Sequence, residues 1–168
     1  RRIANVILVA KWAVYVHGRA NGKTDTLVVD EYSTGIGLGQ SRDALKRGLE
    51  RTIAALEMAG ANAWLVKQVP LQATHPARSL FLAACLGRGL PRGVTVESHR
   101  TQQFEVDQII DSLRSPNLRV LDPTCYCFDS SGRSKIGDAE GSFYVDEDHL
   151  SDRGAESLLR PMLSPACE

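Results

Sequence analysis

The chain has 168 residues, 43% of them hydrophobic and 24% charged, which is enough length and apolar content for a globular unit with a real core. Lys+Arg and Asp+Glu each number 20, so the formal net charge is zero; this argues against nucleic acid as the main partner and gives no electrostatic pull toward an anionic membrane. No apolar run reaches the ~18–20 residues that span a bilayer, and no signal peptide is present; opening on Arg-Arg without Met, the chain reads as part of something longer, with any membrane or export segment upstream of Arg1.

In chain order, Ile3–Ala10 (IANVILVA) is a near-continuous apolar run with β-branched residues and predicts a buried central strand. Leu27–Val29 is a shorter strand candidate, and Glu31–Gln40 (EYSTGIGLGQ) reads as a Gly-rich loop. A helix follows over Ser41–Gly60, with Leu45, Leu49, Ile53 and Leu56 on one face, Ser41 as N-cap, and Gly60 as its stop. Trp64–Val69 is the next predicted strand, ended by Pro70, with Trp64 in packed core. Helices are predicted over Ala77–Leu86 and Glu97–Leu113, the latter with Phe104, Ile109, Ile110 and Leu113 as apolar positions and His99 on a solvated face. Leu118–Leu121 is a buried strand before Asp122-Pro123; a polar loop, a short extended stretch Ser142–Val145 and a helix capped by Ser151 and ended by Pro161 complete the chain. Strands alternating with helices imply an α/β fold with a parallel sheet covered on both faces, whose sites form beyond the carboxyl ends of the strands.

Cys85, Cys125, Cys127 and Cys167 lack the paired spacing of a zinc site, so no metal is expected. Cys85 lies in an apolar stretch and reads as a buried small hydrophobe. A bridge involving Cys125 or Cys127 fits an oxidising compartment, although one joining the two directly would close a very small, strained ring. Gly35–Gly39 lacks the Lys-Ser/Thr ending of a phosphate loop and reads as a flexible loop.

The sharpest chemical signal is YVDEDHLSDRGA over Tyr144–Ala155, in which His149 follows Asp146 by three residues. A turn can bring such a carboxylate onto the imidazole. That is what a serine nucleophile requires: a base for the hydroxyl proton, and an acid that fixes the base's tautomer and stabilises its protonated form. Asp148 is adjacent but less well placed for the ring. By itself D-x-x-H is a weak pattern, better explained as a solvated acidic turn before a capped helix.

The run FYVDEDHLSDRGAESLL resembles the last conserved block of SGNH hydrolases, specifically the domain fused to membrane acyltransferases of the O-antigen acetylase type. NLRVLDPTCYC, WLVKQVP and VILVAKWAVY resemble, in order, that family's strand into Asp-Pro with its cysteine-bearing loop, its strand into a proline, and its apolar strand into a Trp-containing turn. The resemblance spans essentially the whole chain. It implies a three-layer flavodoxin-like sandwich over residues 1–168, one SGNH-type domain lacking its N-terminal strand. It also implies His149 as catalytic base and Asp146 as its orienting acid.

Two departures matter. The family's Gly-Asp-Ser block, which carries the nucleophile, is absent and is expected upstream of Arg1; neither Ser33 nor Ser41 sits in a nucleophile elbow. In place of the family's Gly-x-Asn-Asp block stands Ala10-Lys11-Trp12, which makes Lys11 and Trp12 the candidates for the oxyanion or substrate rim. The resemblance further implies acyl transfer or ester hydrolysis on envelope glycans, acetyl being the expected acyl group, with no cofactor. The partners would be an acyl donor, a glycan acceptor and a covalently linked upstream transmembrane acyltransferase, placing the domain in the periplasm on an inner-membrane protein. The 168 residues alone are expected to be inactive. A stand-alone secreted carbohydrate esterase and a non-catalytic glycan-binding domain are the competing readings.

Overall fold

The computed structural model describes residues 3–18 and 25–167. It is an α/β protein that packs as two compact units, Arg1–Gln68 with Gln102–Asp122, and Val69–Thr101 with Pro123–Glu168.

The first unit is built on three parallel strands, β1 (Asn5–Leu8), β2 (Asn62–Val66) and β3 (Leu118–Leu121), in the order β1-β2-β3. Leu8 pairs in register with Leu65, and Leu65 with Val120. The helices α1 (Ala13–His17) and α2 (Leu38–Met58) connect β1 to β2. Leu45, Leu49 and Ile53 of α2 are buried with Ala63 and Leu65 of β2, Leu118 of β3, and Val106, Ile109 and Ile110 of helix α4 (Val96–Ser112). Each such aliphatic side chain, removed from water, contributes about 1.5–3 kcal/mol.

The ends of α2 follow from local chemistry. Gly60, at φ +68°, lets its own N–H reach Glu57 C=O (2.8 Å) while Ala61 N–H reaches Leu56 C=O (2.9 Å), satisfying two carbonyls that a helix end leaves open. At the other end the sequence reading fails. Gly37 is the N-cap, α2 begins three residues before Ser41, and Ser41 is fully buried. Its hydroxyl accepts from Val28 N–H (2.8 Å) and donates to Tyr15 C=O, so it ties the Leu27–Val29 segment to the helix instead of capping it. That segment accordingly forms no strand.

β1 also differs from its expected role. Among the described residues it is an edge strand and β2 is central; Ile3, Ile7 and Val9 are 69%, 42% and 62% exposed. An apolar run shows that a strand suits a pleated, apolar setting, but not which of its faces is covered. Phe104 is 60% exposed where Val106 occupies the core. Trp64 is half-buried, its indole N–H donating to Asn5 Oδ1.

The second unit contains α3 (Pro76–Cys85), α5 (Thr124–Cys127) and a two-stranded antiparallel ribbon, β4 (Gly137–Asp138) with β5 (Gly141–Ser142). After it comes a helix in three parts: α6 (Asp152–Gly154), a π-helical stretch (Ala155–Leu159) and α7 (Arg160–Cys167). Pro161 is the second residue of α7 and follows the π-helical stretch directly, so the helical run continues through the proline that was expected to end it. The core here is Cys127, Phe128, Phe143, Tyr144 and Leu158. His99 is buried, its ring 5.5 Å from that of Phe128, and not on a solvated face.

The cysteines depart from the sequence reading as well. Cys85, Cys125 and Cys127 are free thiols. Cys125 is exposed and Cys127 buried, because residues two apart on a helical turn point to opposite sides. The bridge considered for that pair therefore does not form. Cys85 is exposed, on the outer side of α3, and not a core residue.

Candidate active site

Asp146 and His149 sit on a short excursion of the second unit between Phe143 and Ser151. The ends of the excursion are clamped. Ser151 N–H donates to Phe143 C=O (3.0 Å), Val145 N–H to His149 C=O (2.9 Å), and Tyr144 forms a bridge with Leu150. Ser151 does the work expected of an N-cap, its hydroxyl accepting from Gly154 N–H at 3.1 Å, and the same oxygen donates to Ser142 C=O. Tyr144, 1% exposed, anchors the base of the loop in the second core.

Within the loop Asp146 organises everything nearby. Its Oδ1 accepts from the backbone N–H groups of Asp148 (2.9 Å) and His149 (2.8 Å), and its Oδ2 lies 2.7 Å from His149 Nδ1. An Asp folding its carboxylate onto the amides two and three residues ahead is an intrinsically favoured turn. This turn delivers the imidazole to the second oxygen. The Asp148 N–H is the largest influence on the Asp146 carboxyl; desolvation, next in size, opposes it, and the N–H and ring of His149 add to it, so that the carboxyl is held well below the usual carboxylate range. Asp146 is therefore an anion throughout the neutral range. Asp148 Oδ1 stands 3.4 Å from the same Nδ1, the farther of the two acids. The His149 side chain is 71% exposed. Asp146, Asp148 and His149 also present ligand atoms within 4.8 Å of one another. Exposed acids gather this way without a metal, so that spacing alone identifies no metal site.

Two residues supporting this loop were not singled out from the sequence. Gln72, 5% exposed, donates its backbone N–H to Glu147 C=O at 2.7 Å, and its side-chain oxygen accepts from Ser134 Oγ at 3.0 Å. Nothing local in LQAT marks it, because Ser134 and Glu147 lie more than sixty residues away. Arg153, just after the cap, grips Asp138 (2.6 Å) and Glu140 of the β4–β5 ribbon. It lies inside the recognised block, and its charge opposite two acids was a readable signal.

Lys11 and Trp12 belong to the first unit, directly beyond the carboxyl end of β1. Trp12 is 6% exposed, and its indole N–H donates to Val66 C=O at 2.8 Å, which makes it a packed residue locking β2 to the start of α1. Lys11 is exposed and its carbonyl accepts from Val14 N–H.

A family model described as "SGNH domain (fused to AT3 domains)" matches residues 1–165. No curated protein and no solved structure matches the chain.

Proposed function

The chain belongs to the SGNH domain family that is fused to AT3 domains, and on that premise we propose that His149 is the general base, and Asp146 its orienting acid, of a serine acyl-transfer site. The observation that carries this reading is the 2.7 Å contact from Asp146 Oδ2 to His149 Nδ1, made by a carboxylate that two backbone amides keep ionised. An ionised acid on Nδ1 selects the tautomer with the proton there and leaves Nε2 to accept a hydroxyl proton. It also stabilises the imidazolium that results.

In the proposed reaction a serine outside these 168 residues, in the family's Gly-Asp-Ser block, attacks the acyl carbonyl while Nε2 of His149 takes its proton. The tetrahedral adduct collapses, His149 returns the proton to the leaving alcohol, and an acyl-serine remains. A glycan hydroxyl, deprotonated by the same nitrogen, then attacks the acyl-serine; the ester bond to serine breaks, His149 returns the proton to the serine oxygen, and water in place of the glycan gives hydrolysis. Lys11 and Trp12 enter as rim residues through the family resemblance alone.

We read residues 1–168 as one SGNH-type domain of a flavodoxin-like sandwich whose serine-bearing first strand pairs with the open edge of β1. We further propose an extracytoplasmic position on an inner-membrane protein, an acetyl group as the cargo and an envelope glycan as acceptor. The fusion to AT3 domains that the family description names supports transfer over stand-alone hydrolysis. Among the described residues no helix is long and apolar enough to cross a membrane.

The test uses the parent protein with its upstream block. His149→Ala and Asp146→Asn should each lower acyl transfer by about 10²–10⁴-fold with little change in folding. The isolated 168-residue chain should not turn over nitrophenyl acetate. Robust hydrolysis by that chain, abolished in His149→Ala, would place the nucleophile within it and overturn this reading.

A further inference from the structure

The second unit carries a cleft of about 750 Å³, within the range of small-ligand sites. Arg92, Arg133 and Lys135 line it, with Leu80, Leu90 and Phe143 as its apolar surface. A second depression of about 330 Å³ adjoins it and shares the ridge of Arg92, Gly93 and Arg133. Pro91 and Ile136 also line both, so the two form one continuous track.

The charges of this track do not cancel. It holds three cations against two acids, Asp129 and Asp138. Asp138 is held by Arg153 at 2.6 Å, and Asp129 Oδ1 accepts from Ser131 N–H, Ser131 Oγ and Arg133 N–H. Arg92 and Lys135 are exposed, and none of the three cations is held in a close ion pair among the described residues. Arg133 is half-buried, and its guanidinium is fixed by donation to Gly93 C=O at 3.2 Å.

The walls are also shaped tightly. A Cβ on Gly93 would lie 2.2 Å from Ser134 O, and one on Gly137 would lie 2.5 Å from Gly141 O, so both positions admit no side chain. The track shares structure with the candidate active site. Phe143, in its wall, accepts the hydrogen bond that closes the His149 loop, and Gln72, in the adjoining depression, holds Glu147. Hydroxyls of Thr74, Thr95 and Ser98 line the same depression.

From these features we infer that the track binds the acceptor, and that the acceptor is an anionic saccharide carrying carboxylate or phosphate groups. This rests on the acyl-transfer reading and names its substrate class. Arg133 fixes the register of one anionic group, while Arg92 and Lys135 at the rim speed capture and select for charge. Leu80 and Leu90 meet the carbon faces of the sugar rings. A chain formally neutral overall gathers three cations against two acids at this cleft, a balance that suits an anion.

Titration calorimetry on the 168-residue chain tests the inference without requiring catalysis. The probes are a galacturonate tetramer, a phosphorylated mannose oligomer and neutral maltotetraose, each at about 0.05 M and about 0.5 M NaCl. One or both acidic probes should bind, more weakly at high salt, and the neutral one should not; the better acidic probe identifies the anion. Arg92→Ala/Lys135→Ala, both at exposed positions, should weaken binding by about fivefold or more with an unchanged melting temperature. His149→Ala should bind like the parent chain. Equal binding of the neutral oligomer, no binding of either acidic one, full affinity in the double variant, or capture of anionic phospholipid vesicles in place of saccharide would each overturn the inference. Because binding and acyl transfer are read separately, a failed titration beside an intact His149→Ala effect sinks this inference and leaves the acyl-transfer reading standing.

Discussion

Gly154→Ala is the most informative single change, because the structure gives both its direction and its size. A Cβ at residue 154 would lie 1.9 Å from Phe143 O, 2.8 Å from its carbonyl carbon and 3.0 Å from its Cα, where ordinary contact starts near 3.4 Å. The obstacle is backbone, so the capped helix and the Phe143 segment must separate by roughly 1.5 Å. That movement strains two bonds at the entrance of the His149 loop, Ser151 N–H to Phe143 C=O and Gly154 N–H to Ser151 Oγ. Overpacking of this kind costs about 1–3 kcal/mol, and a chain of this length loses about 2–4 °C of melting temperature per kcal/mol. A fall of roughly 2–12 °C in calorimetry is expected, with faster exchange of the Ser151 amide. Gly48→Ala is the control. It lies inside α2 with nothing within 4 Å of an added Cβ, and should raise stability by about 0.5–1 kcal/mol. If Gly154→Ala melted like the parent chain while Gly48→Ala did not raise stability, the backbone packing described here would be refuted.

Ser41→Ala should destabilise by about 1–3 kcal/mol in urea unfolding, because it strands Val28 N–H and Tyr15 C=O; a loss of a few tenths would mean that the hydroxyl is only a surface feature. Asp30 gives a pH test. The Arg47 guanidinium holds its carboxyl well below the usual carboxylate range, helped by Ser33 Oγ. A depressed folded-state pKa means that the contribution is present above the unfolded value near ~3.9 and is lost as pH falls through the folded value. Asp30→Asn should therefore lower stability at pH 7 and flatten the acid limb of the stability profile below about pH 4; an unaltered acid limb would contradict the pairing.

Much of this fold is readable residue by residue. The spacing of Leu45, Leu49 and Ile53 predicts the buried face of α2, and Leu118–Leu121 forms a strand where its apolar residues predict one, although not the buried one expected: only Leu118 is buried and Val120 is 38% exposed. Ser151 caps where a Ser before an acidic helix start should. The D-x-x-H turn is legible because it is local: Asp146 needs only the next three residues to reach its partners.

What failed was decided by residues far along the chain. Ser41 resembles a cap, but Val28 and Tyr15 claim its hydroxyl from inside the first unit. The apolar run at β1 does not state that the strand is an edge, and His99 beside Arg100 does not state that Phe128 covers it. Cys85 sits in an apolar stretch whose outward side also includes Phe81, 67% exposed. Gln72 is invisible for the same reason, since its role exists only once Ser134 and Glu147 have been brought to it.

The central claim is that Asp146 sets the protonation geometry of His149. Nitrogen-detected NMR of the imidazole, in the neutral ring form, reads it directly on the chain as it stands. The expected result is a proton on Nδ1 and a lone pair on Nε2, with that preference lost in Asp146→Asn. A ring protonated on Nε2, or one indifferent to the Asp146 substitution, would contradict the assignment of His149 as the base.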